Sequence, residues 1–358
     1  MEFIKKYYLL ILTAAGFPFF YFLPEAIDPY VELVIKYIGI NIILAISLNL
    51  VNGYMGEFSV GHAGFMAIGA YVSSICTVWL FPSSSPYLFP FALFAGVIAA
   101  GIAGYLIAIP SFRTRGDYLA IVTLAFLMIV KSVIENMESL GAARGFLGME
   151  KYTGLVWVFG SVVLSIILAR NFIYSRFGRG VIAIREDEIA SGLCGVDTKK
   201  VKIYTFIFSA SLAGLAGGLF AHELQFINPR SFGLLKSTDM LVMVYLGGVG
   251  SISGSILGAI TYTALLEILR PVTQFTGLSQ EWRLVVAPLL LIILMIFRPR
   301  GIMGFREFPF LIPESLSTYK TDSSNKDNMD LPEVATKSNP ENGKTHDKNK
   351  KNNRGKKA

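Results

Sequence analysis

Ser59, His62 and Glu57 are the residue types of a nucleophile, a base and an orienting acid, and they fall within six positions of one another. Their spacing matches no recognised nucleophile–base arrangement, and no oxyanion motif accompanies them, so hydrolysis is a poor account of them. They sit instead in a glycine-rich stretch, Gly53–Gly64 (GYMGEFSVGHAG), close to Asn49 and Asn52. The chemistry open to such a stretch is binding. Backbone N–H groups freed at the start of a following helix can hold a carboxylate, and freed carbonyls can hold an ammonium. The plainer alternative is a tight turn at a membrane surface, with His62 capping a helix. A second candidate is the charged run Arg185-Glu186-Asp187-Glu188, interleaved with Ile182, Ile184, Ile189 and Leu193. That pattern fits a short amphipathic helix, bounded by Gly180 before it and by Gly192 and Gly195 at its end. It is suited to docking a soluble partner, and equally to an ordinary interfacial loop. Lys131/Glu135 and Glu32/Lys36 are spaced i,i+4 and can pair. No chain of ionisable groups continues inward from them in the sequence, so a proton relay is not expected.

These residues are embedded in a chain of 358 residues that is 53% hydrophobic and only 16% charged, with a mean hydropathy of +0.55. Soluble domains carry about a quarter charged residues, so the composition specifies a polytopic membrane protein. The net charge of +7 is explained by Lys and Arg gathering on cytoplasmic loops, without nucleic acid. Cys76 and Cys194 are too few for a disulfide framework. Asn342-Gly343-Lys344-Thr345 imitates the end of a P-loop, but Ser338 stands where the first glycine should be, and no strand or helix flanks it.

Apolar runs long enough to cross about 30 Å of hydrocarbon occur near Tyr7–Leu23, Tyr30–Val51, Val60–Leu80, Leu88–Ile109, Tyr118–Asn136, Gly154–Arg170, Ile203–Glu223, Asp239–Gly247, Gly254–Leu269 and Arg283–Phe297. Lys5 and Lys6 precede the first run, and no small-x-small cleavage site follows it, so it is read as a span and not a signal peptide. The basic clusters are Lys5/Lys6, Arg113/Arg115, the Arg170–Lys202 loop and Arg298/Arg300/Arg306. All four lie inside when ten spans are drawn with both termini cytoplasmic. The expected fold is therefore an all-α polytopic membrane protein with about ten transmembrane segments and glycine-broken helices. Residues 1–310 form the membrane domain, with a cytoplasmic loop at about 171–202. Residues 311–358 form a polar, basic tail too poor in large apolar side chains to fold.

Two stretches interrupt the helical pattern: Gly53–Gly64, and Gly247–Gly254 (GGVGSISG). Each glycine inside a helix costs about 1 kcal/mol relative to alanine. The second stretch is either a loop between short spans or a break in a re-entrant hairpin. Both are followed by helices opening on small residues, which suggests a weak internal repeat. The run Ile203–Glu223 carries Ala210, Ala213, Gly214, Ala216, Gly217, Gly218 and Ala221, a small-residue stripe suited to close helix packing.

In detail these motifs resemble a known family. Leu48-Asn49-Leu50, Gly53, Gly56, Ser59-Val60-Gly61-His62-Ala63-Gly64-Phe65, Gly69-Ala70-Tyr71, Arg115-Gly116-Asp117-Tyr118-Leu119-Ala120, Gly178-Arg179-Gly180, Ala183 to Ala190, Leu246-Gly247-Gly248-Val249-Gly250-Ser251, Gly254 and Gly258-Ala259 stand in order and at family spacing. They are similar to the LivM-type permease subunits of branched-chain amino acid ABC importers, over about Leu44 to Gly301. The resemblance implies a translocation subunit that is not an enzyme, binds no metal or cofactor, and leaves ATP and Mg to partner subunits. The implied partners are a homologous LivH-type permease, two cytoplasmic ABC ATPases and an extracytoplasmic amino-acid-binding protein, in the cell membrane. It further implies that Ala183, Ile184, Arg185, Glu186, Asp187, Glu188, Ala190 and Gly195 form the ATPase-coupling segment. Asn49, Gly53, Gly56, Ser59, Gly61, His62, Gly64, Gly247, Gly248, Gly250, Gly254 and Gly258 correspond to glycine-rich core segments, which we assign to the translocation pathway. Gly141-Ala142-Ala143-Arg144-Gly145 stands where relatives often have consecutive glycines, and Ser255 where proline is common. Related permeases move urea or short amides, which is the nearest alternative substrate class; an ion-coupled carrier is a more distant one.

Overall fold

The computed structural model describes residues 16–24, 27–80, 86–112 and 118–276, with further positions between 285 and 311. Residues 16–24 are helical and are labelled α1. Then follow α2 (Pro29–Asn49), α3 (His62–Ile75), α4 (Phe89–Ser111), α5 (Tyr118–Asn136) and α6 (Leu155–Tyr174). After two short helices, α7 (Arg176–Glu186) and α8 (Glu188–Leu193), come α9 (Thr198–Leu224), α10 (Leu234–Gly247) and α11 (Ile252–Thr276). Two-residue strands, β1 (Phe146–Leu147) and β2 (Phe226–Ile227), pair antiparallel with Phe146 opposite Ile227.

Among the described residues, seven helical segments are long and apolar enough to cross a membrane. They coincide with seven of the expected runs. The run at Asp239–Gly247 does not become a span: α10 has 14 residues, or roughly 21 Å at 1.5 Å per residue, too short to cross alone. Its residues Met240, Val242, Met243 and Val244 are fully buried, so α10 is an internal half-helix. Gly248–Ser251 is the turn that returns the chain into α11. Most of the first and last expected runs, the basic clusters at Lys5/Lys6, Arg113/Arg115 and Arg298/Arg300/Arg306, and the tail at 311–358 lie outside the described residues, except position 311.

The small-residue stripe places α9 at the centre. Gly214 and Gly69 bring α9 and α3 so close that a Cβ on Gly69 would lie 2.2 Å from the Gly214 carbonyl oxygen. The outer faces differ in kind. Phe91, Phe94, Ile98, Ile102 and Leu106 on α4 and Ile121, Ile129 and Val133 on α5 are exposed, the apolar coat that lipid requires.

One end of the bundle is tied by charge. Lys36 reaches Glu32 at 2.6 Å and Glu223 at 3.1 Å, and Lys151 reaches Glu223 at 3.3 Å. The Glu32/Lys36 pair thus gains a third member, Glu223, from 187 residues away along the chain, and the network ends at the half-exposed Lys151 at that same end of the bundle. Lys131 and Glu135 pair at 3.8 Å, as their spacing predicts.

Candidate functional site: an exposed two-helix element joined to a helix break

The charged run forms two helices rather than one. Ser175 ends α6 at a sharp corner and caps α7, its Oγ accepting from Gly178 N at 3.2 Å. Val181 and Ile184 turn inward and are buried. At Asp187 the backbone becomes extended, and the carboxylate accepts from Ile189 N (2.8 Å) and Ala190 N (2.9 Å). Asp187 is thus the N-cap that starts α8, satisfying donors the helix cannot. Gly195, at φ +87°, ends the element. Asp197 then caps α9: a side-chain hydrogen bond from Lys200, then one from the Lys200 backbone N–H, hold its carboxyl below the usual range.

The four charged residues do different work. Glu186 points outward and pairs with Arg185 at 2.6 Å. The Arg185 stem instead lies against Gly56, and its Nη1 donates to the Gly53 carbonyl oxygen at 3.3 Å. Glu188 pairs with Lys202 at 2.8 Å, and the same ammonium holds Glu57 at 2.6 Å. The α7–α8 element, the glycine break and the central helix are therefore joined by two cations. Ile189 and Leu193, 78% and 86% exposed, leave an apolar pair on the free side of α8.

The break itself begins at Asn49. Residues Leu50–Met55 widen into a π-helical turn, a feature that recurs at functional sites. Gly56 leaves it at φ +76°, a conformation that strains any residue with a Cβ. Asn49 is fully buried and reaches across to the second glycine motif. Its Oδ1 accepts from Gly250 N (2.8 Å), and its Nδ2 donates to the Ser251 carbonyl (2.8 Å) and to Ser255 Oγ (2.7 Å). The two glycine motifs, some 200 residues apart, are one joint. Gly53 makes the approach possible: a Cβ there would lie 1.9 Å from Asn49 Oδ1 and 2.4 Å from Gly250 N. Gly247, Gly254 and Gly258 set the α10–α11 hairpin at backbone contact, with Gly248 and Gly250 in its turn. Ser255 takes part in the Asn49 network, which a proline there would not.

Ser59 and His62 are buried just beyond. Asn52 clamps Ser59, its Oδ1 accepting from the Ser59 N–H at 3.1 Å. Ser209 Oγ donates to the Ser47 carbonyl at 2.5 Å, so His62 Nε2, at 2.8 Å from that oxygen, is the donor. His62 Nδ1 is then the acceptor facing Ser59 Oγ at 3.4 Å. The ring faces two hydroxyls and no carboxylate, since Glu57 is committed to Lys202. This is a neutral structural network and not a triad. Nor does His62 cap α3, whose N-cap is Gly61 with no side-chain bond. Gly61 and Gly64 lie against Thr123 and Phe126 of α5.

Sequence reasoning missed Glu307. It accepts from Ile252 N (2.5 Å), Ser253 N (3.0 Å), Ser253 Oγ (2.5 Å) and Tyr54 OH (2.7 Å). A carboxylate from beyond the last expected span therefore caps α11 and ties it to the π turn. Ile302 N and Met303 N close over the same hairpin through Leu246 O and Gly247 O, both at 2.9 Å. An acid after the Gly301–Gly304 turn was the only local signal, and it does not reveal a partner 55 residues earlier.

A mostly helical bundle with seven membrane-length segments among the described residues and an exposed two-helix stub joined to a broken helix fits a membrane permease. The family model described as branched-chain amino acid transport system / permease component matches residues 30–295, and the chain belongs to that family. It is 33% identical over 302 residues to the high-affinity branched-chain amino acid transport system permease protein LivM of Escherichia coli K12, covering 74% of this chain and 68% of the relative. It is 27% identical to the LivH permease protein of the same-named system of Salmonella typhimurium, covering 73% of this chain and 90% of that one. The probable LivM of Methanocaldococcus jannaschii is 24% identical, over 79% and 95% of the two chains. No solved structure matches the chain.

Proposed function

We propose that this chain is the LivM-type translocation subunit of an ATP-driven importer of leucine, isoleucine and valine in the cell membrane. It works beside a LivH-type permease, two cytoplasmic ATPases that hold the ATP and Mg, and an extracytoplasmic binding protein. The chain has no covalent chemistry of its own; transport is a switch between outward- and inward-open states biased by the ATPases. Both termini lie in the cytoplasm and ten segments cross the bilayer, residues 226–247 making one crossing as a short strand, a 3-10 turn and the half-helix α10.

The observation that carries this reading is the Arg185 bridge from the exposed α7–α8 element to the Gly53 carbonyl inside the broken helix. ATPases closing on Ile189 and Leu193 would push α8. Arg185 and the Glu188–Lys202–Glu57 bridge would pass that push to the π turn and to α9. The Asn49 joint would carry it into the α10–α11 hairpin. The glycine motifs flank the pathway as its packed hinge.

The test is uptake of labelled leucine by cells carrying or lacking this subunit, competed by isoleucine, valine or urea. Uptake that needs the subunit and the ATPases, and yields to the branched-chain competitors only, supports the reading. Competition by urea alone moves the substrate to short amides, and uptake without ATPases removes the importer.

A further inference from the structure

The half-helix α10 carries two ionisable side chains at membrane depth that the coupling joint does not use. Lys236 Nζ donates to Asn41 Oδ1 at 3.2 Å and lies 5.8 Å from the centre of the Phe220 ring. Asn41 is held in turn by Thr263, its Nδ2 donating to Oγ1 at 3.0 Å. One turn further along, the Asp239 carboxylate accepts from Tyr262 OH. Neither Lys236 nor Asp239 forms an ion pair among the described residues. Each is hydrogen-bonded to a neutral partner, and although they stand three apart on one helix their charged atoms do not come within 4 Å.

Depth makes this arrangement costly. Asn41 lies 12 residues into a helical segment of 27, roughly 18 Å from its end at 1.5 Å per residue. Lys236 therefore places its charge near the bilayer midplane. Ionisable groups there face a protein interior or a watery cavity, not lipid. Yet both residues are only partly buried in this chain, and their neighbours Leu235, Ile260 and Thr261 are exposed. The α10–α11 face must therefore be covered by something other than acyl chains.

We propose that Lys236 and Asp239 form a recognition station for the α-amino acid zwitterion, on a face of α10 and α11 that borders the solute path. Lys236, steadied by Asn41 and Thr263, takes the carboxylate. Asp239, steadied by Tyr262, takes the ammonium. Side chains three residues apart on a helix have Cβ atoms roughly 5–6 Å apart, a span that the two charged groups of one α-amino acid can bridge. Phe220 and Leu235 supply apolar surface for a branched side chain. A zwitterion neutralises both charges together, whereas urea offers no charge to either. This inference rests on the transport reading and adds where the solute is recognised.

The experiment is thiol protection at Thr261 in the assembled importer, reconstituted with its partners. Cys76 and Cys194 are first replaced by serine, and Thr261→Cys is labelled with a membrane-impermeant thiosulfonate. L-Leucine at about ten times its half-saturating concentration is expected to slow labelling by about tenfold, as mass action requires of a blocked site. Isopentylamine and 4-methylpentanoate, each lacking one charged group, are expected to give little protection. Lys236→Gln and Asp239→Asn should abolish the leucine effect, while Lys236→Arg and Asp239→Glu keep part of it. Equal labelling with and without leucine, in vesicles that still take up leucine, overturns the station and leaves the importer standing. Equal protection by leucine and the amine overturns it as well. Vesicles that take up no leucine, but do take up another solute, remove the branched-chain reading on which the station rests. Should Gln and Asn variants fail to reach the membrane, the three-ligand comparison on the Thr261→Cys chain decides alone.

Discussion

Replacing Gly53 with alanine adds one methyl group and tests the joint at its tightest point. The new Cβ would lie 1.9 Å from Asn49 Oδ1 and 2.4 Å from Gly250 N, distances no relaxed structure holds. Asn49 must move, and its three hydrogen bonds to Gly250, Ser251 and Ser255 are lost or stretched. At the membrane-protein average of about 0.6 kcal/mol each they sum to about 2 kcal/mol. At the aqueous average of about 1 kcal/mol each they sum to about 3 kcal/mol. Alanine returns about 1 kcal/mol of helix propensity, so the net loss is roughly 1–2 kcal/mol before any steric strain is counted. Gly192→Ala is the control. It lies in α8, where an added Cβ meets nothing within 4 Å, and should raise stability by up to about 1 kcal/mol. Thermal unfolding of the purified protein in detergent reads both. Opposite signs, with Gly53→Ala lower, are expected. A Gly53→Ala protein at least as stable as wild type would mean that the two glycine motifs do not meet as described.

Four further outcomes follow from the same geometry. Arg185→Gln keeps the stem that lies against Gly56 but removes the charge and the reach to the Gly53 carbonyl, so leucine uptake should fall severalfold while the ATPases stay bound on purification; normal uptake would remove Arg185 from the link. Asp187→Ala removes the cap of α8 and should cost about 1 kcal/mol locally, seen as faster amide exchange at residues 189 and 190 with no change in α9. Glu307→Gln should lower the unfolding temperature, because two backbone donors and two hydroxyls lose a charged acceptor; an unchanged melt would detach the 307–308 segment from α11. Ala142 sits at φ +49°, where alanine is strained by about 1 kcal/mol or more, so Ala142→Gly should leave stability equal or raise it.

That last residue shows what a sequence can reveal of this molecule. The departure from consecutive glycines at 141–145 was visible in the residues, while its left-handed backbone was not. Span positions were legible because a helix in lipid must be apolar over its whole length, and seven of the expected runs became helices at nearly those limits. The glycine breaks were legible for the same reason, since glycine is costly inside a helix. What each break touches was not legible, because Asn49 finds its partners about 200 residues away and the pattern of small residues is identical on either side of a contact. Charge was read least well. Glu186, Asp187 and Glu188 look alike as a run, yet one is exposed beside Arg185, one caps a helix and one holds Lys202. Lys36 was legible only as a partner of Glu32, because the second carboxylate that buries it, Glu223, belongs to α9. Lys236 and Asp239 were passed over for a related reason: a run too short to span had been counted as a span.

The central claim is that force from the cytosol enters this chain through α8. It is tested most directly by a photo-crosslinker at Leu193 in intact membranes of cells that hold the whole importer. Leu193 suits this better than Asp187, whose carboxylate is needed to cap α8. The account predicts one crosslinked product, a nucleotide-hydrolysing subunit, whose yield changes when ATP is trapped. Products made only with lipid or with the other permease, or labelling of Leu193→Cys by an impermeant thiol reagent from outside the cell, would contradict it.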